Sequence, residues 1–132
     1  MRTARTPEEV EEIYIASMNA GDLEGALAVF DVDTVFVGPT EAETIHGVDG
    51  IRVRLAAALA LDPQHRVLAQ RVVHFDDYAV LFADWELDRL DTEGGAVHLR
   101  GSDTSIVRQR EDGAWTVLRR TVTRKETRDP IG

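Results

Sequence analysis

Two polar side chains in this sequence lie among apolar neighbours. Tyr14 precedes Met18 by one helical turn, with Ile13 beside it, on the apolar face of a predicted helix. Asp103 alternates with Leu99 along a predicted strand, on the face that we expect to turn inward. A tyrosine hydroxyl in a pocket can donate a hydrogen bond to a carbonyl or a developing oxyanion. A desolvated carboxylic acid with a raised pKa can do the same, so both residues are candidate catalytic groups.

Both residues also have a purely structural interpretation. Tyr14 can be a packed core residue whose hydroxyl reaches the rim of the domain. Asp103 can bond a backbone amide, pair with an arginine such as Arg100 or Arg119, or lie at an exposed strand end. Carboxylates are seldom buried without a partner, which favours the structural interpretation of Asp103 over the catalytic one. The sequence alone leaves both alternatives open.

Apolar and aromatic side chains surround these two residues in the predicted elements. They can form either an ordinary core or the wall of a pocket for a flat apolar ligand. A β-bulge near Gly101 would reverse the register of the strand and turn Thr104 inward in place of Asp103. The residues expected to line such a pocket are Met18, Phe36, Leu81, Trp85, Leu99, Thr104 and Trp115.

The sequence lacks the patterns of other common catalytic sites. Its four histidines share no helical spacing with another ligand, and His-Glu-x-x-His is absent, so we expect no metal site. Gly-x-Ser-x-Gly, Gly-x-Gly-x-x-Gly and P-loop patterns are absent too, so we expect neither a serine nucleophile elbow nor a nucleotide cofactor. Because there is no cysteine, disulfides and thiolate chemistry are excluded.

Length and charge restrict the class of protein further. The 132 residues are enough for one domain with one core, spanning 1–132. The formal net charge of −9 argues against nucleic acid and anionic membranes as partners, because both require a positive surface. No apolar stretch approaches the roughly 20 residues of a membrane span, and the N-terminus lacks a signal-peptide pattern. We therefore expect a cytoplasmic protein that needs no cofactor.

The N-terminal half of the sequence predicts three helices. The first begins behind Thr6, its N-cap, and ends at Gly21. Asp22 caps a second helix, whose apolar face extends to Phe30. The third helix begins at Gly47 and ends before an Asp-Pro pair.

One strand is predicted over 35–37, between the second and third helices. From His65 onward the apolar period changes to two, which predicts strands over 65–75, 78–90, 96–110 and 115–124. Helices followed by an antiparallel meander indicate an α+β fold. Val80 and Phe82 point to the outer face of the sheet, so we expect part of that face to be covered, for instance by a second subunit. Residues 125–132 are predicted to form a flexible tail.

Several of these segments together resemble a known superfamily. The run from Tyr14 through Phe30 to Val35-Phe36-Val37-Gly38-Pro39 is similar to the opening of NTF2-like proteins, in particular their ketosteroid-isomerase-like and SnoaL-like branches. Residues 47–52 resemble the start of the third helix of these proteins, and 112–117 their last hairpin. The resemblance covers roughly residues 8 to 123. It implies a cone-shaped fold of three N-terminal helices on a curved, mostly antiparallel sheet, and a homodimer.

The same resemblance implies roles for individual residues. In the isomerases of the superfamily, a helix tyrosine and a protonated aspartic acid form an oxyanion hole, while a separate aspartate moves the proton. Tyr14 and Asp103 match the first two positions, but Gly38 stands where the proton-moving aspartate would be. Glycine cannot move a proton, so standard steroid isomerisation is not expected. The nearby residues left as candidate bases are Asp33, Glu41, Glu43 and His46.

Two functions from different classes follow from these residues. The first is a cofactor-independent isomerase, cyclase or dehydratase that acts by proton transfer on a small apolar carbonyl compound. The second is a non-catalytic module of the same fold that binds a small molecule or dimerises. Tyr14 with Asp103 favours the enzyme, whereas Gly38 favours the binding module.

Overall fold

The computed structural model describes residues 2–38 and 40–128. Its α-helices are α1 (Pro7–Asn19), α2 (Leu23–Leu27) and α3 (Gly47–Leu59), with a short 3-10 turn at Glu41–Glu43. Its strands are β1 (Phe30–Val37), β2 (Ile45–His46), β3 (Gln64–Phe75), β4 (Tyr78–Leu90), β5 (Ala96–Gln109) and β6 (Trp115–Arg128). None of the helices in these residues is long and apolar enough to cross a membrane.

Local capping explains where the first two helices begin and end. The side chain of Thr6 accepts a hydrogen bond from the backbone amide three residues on, and Asp22 does the same for α2. Gly21, with φ of 73°, separates the two helices in a conformation that favours glycine. α2 ends at Leu27, so the prediction that Phe30 lies on this helix is wrong. Phe30 instead opens β1, where it pairs with β6.

The sheet has six strands in the order β2-β1-β6-β5-β4-β3. Neighbouring strands are antiparallel except β1 and β6, which are parallel. The last strand of the sequence therefore lies inside the sheet, between the first long strand and β5. Helices α1 and α3 pack on one face of this sheet, and the predicted α+β fold with a mostly antiparallel sheet is confirmed.

Breaks in the pairing decide which side chains face the helices. The β4–β5 ladder is continuous from one end to the other, so Asp103 keeps its inward position. The β5–β6 ladder shifts where Val117 and Arg119 oppose consecutive residues of β5, because Leu118 is an additional residue in β6. This bulge exchanges the two faces of β6, and as a result Arg119 is exposed and Arg120 is buried.

A second bulge lies opposite Gly101, near the position at which the sequence analysis considered a bulge in β5. The additional residue is in β6, between the partners of Arg100 and Gly101, so the register of β5 itself is unchanged. Thr104 is consequently exposed, which corrects its assignment as an inward-facing pocket residue. β6 continues through Arg128, so residues 126–128 of the predicted tail pair with β5, while 129–132 lie outside the described residues.

Candidate functional site

A cavity of about 350 Å³ lies between α1, α3 and the inward face of the sheet. This volume is at the lower end of the range for pockets that hold small organic ligands. Six of the residues proposed from the sequence line it, and they are Tyr14, Met18, Phe36, Trp85, Leu99 and Asp103. Leu81 and Trp115 are buried in the adjoining core and are not among the lining residues of this cavity.

Gly101 makes room for the aromatic wall of the cavity. It pairs with Trp85 across β4 and β5. A Cβ atom at Gly101 would lie 2.5 Å from Cζ2 of the indole and 2.8 Å from the carbonyl oxygen of Thr123. Such distances are far shorter than a normal carbon contact, so the absence of a side chain at Gly101 allows Trp85 to pack over this strand.

A buried ion cluster lies at the polar end of the cavity. Arg120 is 4% exposed and donates hydrogen bonds to both carboxylate oxygens of Glu11, at 3.0 and 3.3 Å. The same guanidinium also donates to Oδ2 of Asp103. One cation from β6 is therefore shared by a carboxylate of α1 and a carboxylate of β5. Sequence reasoning considered Arg100 and Arg119 as partners of Asp103 and missed this arrangement.

Burial and these charges act on Asp103 in opposite directions. Burial raises the pKa of Asp103, Arg120 lowers it, and Glu11 raises it again, with the result that it stands at about 6. Oδ1 of Asp103 and Nε1 of Trp85 have no hydrogen-bond partner among the described residues, although the indole is near enough to lower the pKa of Asp103. The carboxyl is thus an acceptor that is only partly satisfied within the protein.

Tyr14 lies directly against the ion cluster. Its ring is 4.4 Å from the guanidinium carbon of Arg120, and Phe30 meets the ring edge-on at 5.8 Å between centroids. Burial raises the pKa of the Tyr14 hydroxyl, against the opposing effect of Arg120. The hydroxyl therefore keeps its proton at neutral pH and is a hydrogen-bond donor rather than a base.

His65 lines the same cavity, although the sequence placed it only at the start of a strand. Its ring lies 6.3 Å from the ring of Tyr14 and 6.4 Å from that of Trp85. Burial, followed by the charge of Arg120, lowers the pKa of His65 to about 4, so its imidazole is neutral at pH 7. Nδ1 of His65 has no hydrogen-bond partner among the described residues.

The position of His65 is fixed through its backbone. The amide of His65 donates to Oδ1 of Asn19 at 2.7 Å, and Nδ2 of Asn19 donates to the carbonyl of His65 at 3.0 Å. These two bonds join the end of α1 to the start of β3. The inward position of His65 follows from its pairing with Leu87. This pairing can be assigned only once the register between β3 and β4 is known.

The candidate bases taken from the sequence lie elsewhere. Asp33 and His46 are exposed, and neither they nor Glu43 line the cavity. The side chain of Glu43 packs over Gly38, in the space that a Cβ at this position would enter. The side chain of Glu41 lies outside the described part of the chain. Among the residues that the structure describes, no group of three His, Asp or Glu side chains is arranged to hold a metal ion.

Comparisons with known proteins agree with this architecture. The family model for the SnoaL-like domain matches residues 10–118. Among curated proteins no sequence matches the chain. A candidate scytalone dehydratase from Novosphingobium aromaticivorans superposes with a TM-score of 0.83 at 18% identity, over 92% of this chain and 83% of that chain.

Two other solved structures are similar at the same level. A ketosteroid isomerase-like protein from Erwinia carotovora atroseptica gives a TM-score of 0.78 at 18% identity, over 90% of this chain and 93% of its own. An NTF2-like superfamily protein from Salmonella enterica serovar Typhimurium gives 0.80 at 16% identity, over 89% of this chain and 87% of its own. At such identities the structural matches show the fold alone. The family model, which covers most of the sequence, shows that this chain belongs to the SnoaL-like domain family.

Proposed function

We propose that the cavity binds a small apolar carbonyl compound and that the protein transfers a proton on it without a cofactor. The reaction would be of the isomerase, cyclase or dehydratase type. The observation that carries this proposal is that a protonated tyrosine and a neutral histidine, Tyr14 and His65, line one otherwise mainly apolar cavity. A hydrogen-bond donor and a proton acceptor in a desolvated site are the two groups that enolisation requires.

In the proposed reaction, Tyr14 donates a hydrogen bond to the carbonyl oxygen of the ligand. His65 accepts a proton from the carbon next to the carbonyl, and the electrons of the broken C–H bond form the enolate. In a β,γ-unsaturated carbonyl compound, return of the proton from His65 to the γ-carbon completes an isomerisation. In a β-substituted compound, loss of the substituent, which takes up the proton from His65, completes an elimination. Arg120 packs over the ring of Tyr14 and holds this side chain in position for the hydrogen bond.

In this scheme Asp103 acts through Arg120. Its carboxyl and that of Glu11 hold the guanidinium from two elements, and the guanidinium supports the face of the Tyr14 ring. Asp103 is therefore proposed as a positioning residue for Tyr14, with its unpaired Oδ1 available to a ligand. This role differs from that of an independent acid in an oxyanion hole.

Butyrophenone and butylbenzene, which differ only in the carbonyl group, provide the direct test. We expect the protein to bind butyrophenone more tightly and to accelerate exchange of its α-protons in D₂O, followed by NMR. Tyr14→Phe is expected to reduce this exchange on the order of 10²-fold, because an oxyanion donor is lost, while butylbenzene binding stays unchanged. The control is Tyr78→Phe, since Tyr78 lies on the outer face of the sheet. Equal exchange in both variants would contradict the role of Tyr14.

The second candidate function is a non-catalytic binding module whose working unit is a dimer. It is favoured by large apolar side chains exposed on the outer face of β3 and its neighbour, which include Val73, Phe75 and Tyr78 at 44, 47 and 36% exposure. An exposed apolar patch of this kind is typical of an interaction surface. On this reading a second copy covers the outer face, and catalysis of exchange is absent.

Light scattering measures the dimer directly. We expect a mass of twice the 14.7 kDa chain, and a shift to the single-chain mass in Val73→Asp, because a charge on the outer face would be buried at the interface. Val53→Asp is the matched control, since Val53 is 72% exposed on α3. A wild-type protein with the mass of a single chain would exclude the dimer without affecting the cavity.

A further inference from the structure

We infer that the compound bound in this cavity carries a carboxylate group and that Arg54 binds it. The inference rests on the proposed function of the cavity and names its ligand class more closely. Arg54 lies on α3, half-buried, and lines the cavity. Its guanidinium carbon is 4.3 Å from the centroid of the Phe36 ring, which lines the cavity as well.

Arg54 differs in its pairing from Arg120 and from Arg52. Arg120 is neutralised by two carboxylates, and Arg52 on the same helix is paired with Glu24, with 3.1 Å between Nη2 and Oε1. None of the ion pairs within the described residues includes Arg54 or Arg89, the third arginine that lines the cavity. In a chain with 24 acidic and 15 basic residues, an unpaired guanidinium at an apolar cavity is unusual.

The contact with Phe36 is made by the guanidinium carbon of Arg54 over the ring. A cation–π contact of this kind does not use the N–H donors of a guanidinium. The fork of these donors matches the two oxygens of a carboxylate, and such paired, charge-assisted hydrogen bonds are among the strongest that proteins form. Arg89 lines the cavity as well, but one of its N–H groups already donates to the carbonyl of Leu90 at 2.8 Å.

Arg54 and the proposed oxyanion donor, Tyr14, line the same cavity. The charge of Arg54 also lowers the pKa of the Tyr14 hydroxyl slightly, against the larger effect of burial. A single ligand can therefore present a carbonyl to Tyr14 and a carboxylate to Arg54, with its apolar body toward Trp85 and Leu99. A keto acid with an aromatic or aliphatic body has this arrangement of groups.

Calorimetric binding of benzoylpropionate and of its neutral amide, which have nearly the same shape, tests this inference. We expect the wild type to bind the carboxylate roughly 10- to 100-fold more tightly, as a charge-assisted bond implies, and to lose this preference at high salt. Arg54→Gln should remove the preference and leave the affinity for the amide unchanged. Arg52→Gln, on the same helix and outside the cavity lining, should keep it.

The outcomes separate the two proposals. Equal affinity of the wild type for carboxylate and amide would overturn the role of Arg54 and leave the proposed binding of carbonyl compounds standing. A preference that persists in Arg54→Gln would also overturn it, because another group would then hold the carboxylate. Arg54→Lys keeps the charge and is expected to retain part of the preference, which distinguishes loss of charge from loss of packing on Phe36. If neither ligand nor butyrophenone binds, the proposed function itself fails.

Discussion

Replacing Arg120 by methionine is expected to lower the free energy of unfolding by about 3–5 kcal/mol, the effect of removing one partner from a buried ion pair. Glu11 and Asp103 are 1 and 2% exposed, and without Arg120 they would face each other as uncompensated buried charges. Urea unfolding of both proteins measures the change. Arg119→Met is the matched control, because Arg119 is the exposed neighbour in the same strand and surface changes rarely exceed about 0.5 kcal/mol.

A triple variant separates charge from packing at the same cluster. In Glu11→Gln, Asp103→Asn, Arg120→Met the three charges are removed together and most of the side-chain volume is kept. Neutral replacement of a whole buried cluster is often tolerated, so we expect the triple variant to be more stable than Arg120→Met alone. A triple variant as unstable as the single one would show that the guanidinium acts mainly through packing on the Tyr14 ring.

His65→Gln is expected to slow the exchange of butyrophenone α-protons by about 10²- to 10⁴-fold, the usual contribution of a positioned general base. Glutamine can occupy much of the space of the imidazole but cannot accept the proton. His46→Gln provides the control, since His46 is exposed and lies outside the cavity lining. Exchange by His65→Gln at the wild-type rate would assign proton transfer to another group.

The pH profile distinguishes a buried histidine from an exposed one. Because the pKa of His65 is lowered to about 4, the rate in the folded enzyme should stay constant through pH 6.5 and fall only as pH approaches 4. Tyr14, Asp103 and Arg120 line the cavity together with His65. The charge of Arg120 adds to burial in keeping His65 neutral, against the opposing charge of Glu11. A rate that halves near pH 6.5 would contradict this environment for His65.

The same pKa values predict how stability responds to pH. His65 has a folded pKa below its unfolded value, so its contribution to stability is present above about pH 6.5 and is lost as pH falls toward 4. Asp103 has a folded pKa of about 6, above its unfolded value, so its contribution has the opposite sign and grows over the fall from about pH 6 to 4. Of these two contributions only the second remains in His65→Gln, so its stability should fall less than that of the wild type as pH is lowered from 6.5 to 4.

Much of the fold can be predicted from the spacing of apolar and polar residues in the sequence. The position of Tyr14 on α1 results from the three- and four-residue spacing of its apolar neighbours and from the cap at Thr6. The inward position of Asp103 results from strict alternation along β5, which the continuous ladder with β4 preserves. The catalytic roles of both residues stay predictions, because position alone does not measure chemistry.

Other parts of the site depend on features that the alternation of apolar and polar residues does not reveal. Extending the pattern of Trp115 and Val117 along β6 would turn Arg119 inward, and only the bulge at Leu118 brings Arg120 to the cavity. A bulge is a property of two strands together, so one strand's sequence cannot reveal it. His65 was not predicted as a cavity residue for a related reason. Its contact with α1 depends on hydrogen bonds between its backbone and the side chain of Asn19, 46 positions earlier in the sequence.

The place of β6 in the sheet has a consequence for how the protein is made. β6 is the last strand to be synthesised, yet β1 and β5 lie on either side of it, and its Arg120 meets Glu11 across 109 positions of sequence. The nascent chain therefore carries α1 and β1 without their central neighbour until β6 itself has been synthesised. Contacts of such long range form slowly, because the entropy of closing the chain is lost before they can compensate for it. Ligand can thus stabilise the domain only after β6 has been made, since Arg120 and Val122 of this strand are part of the cavity lining.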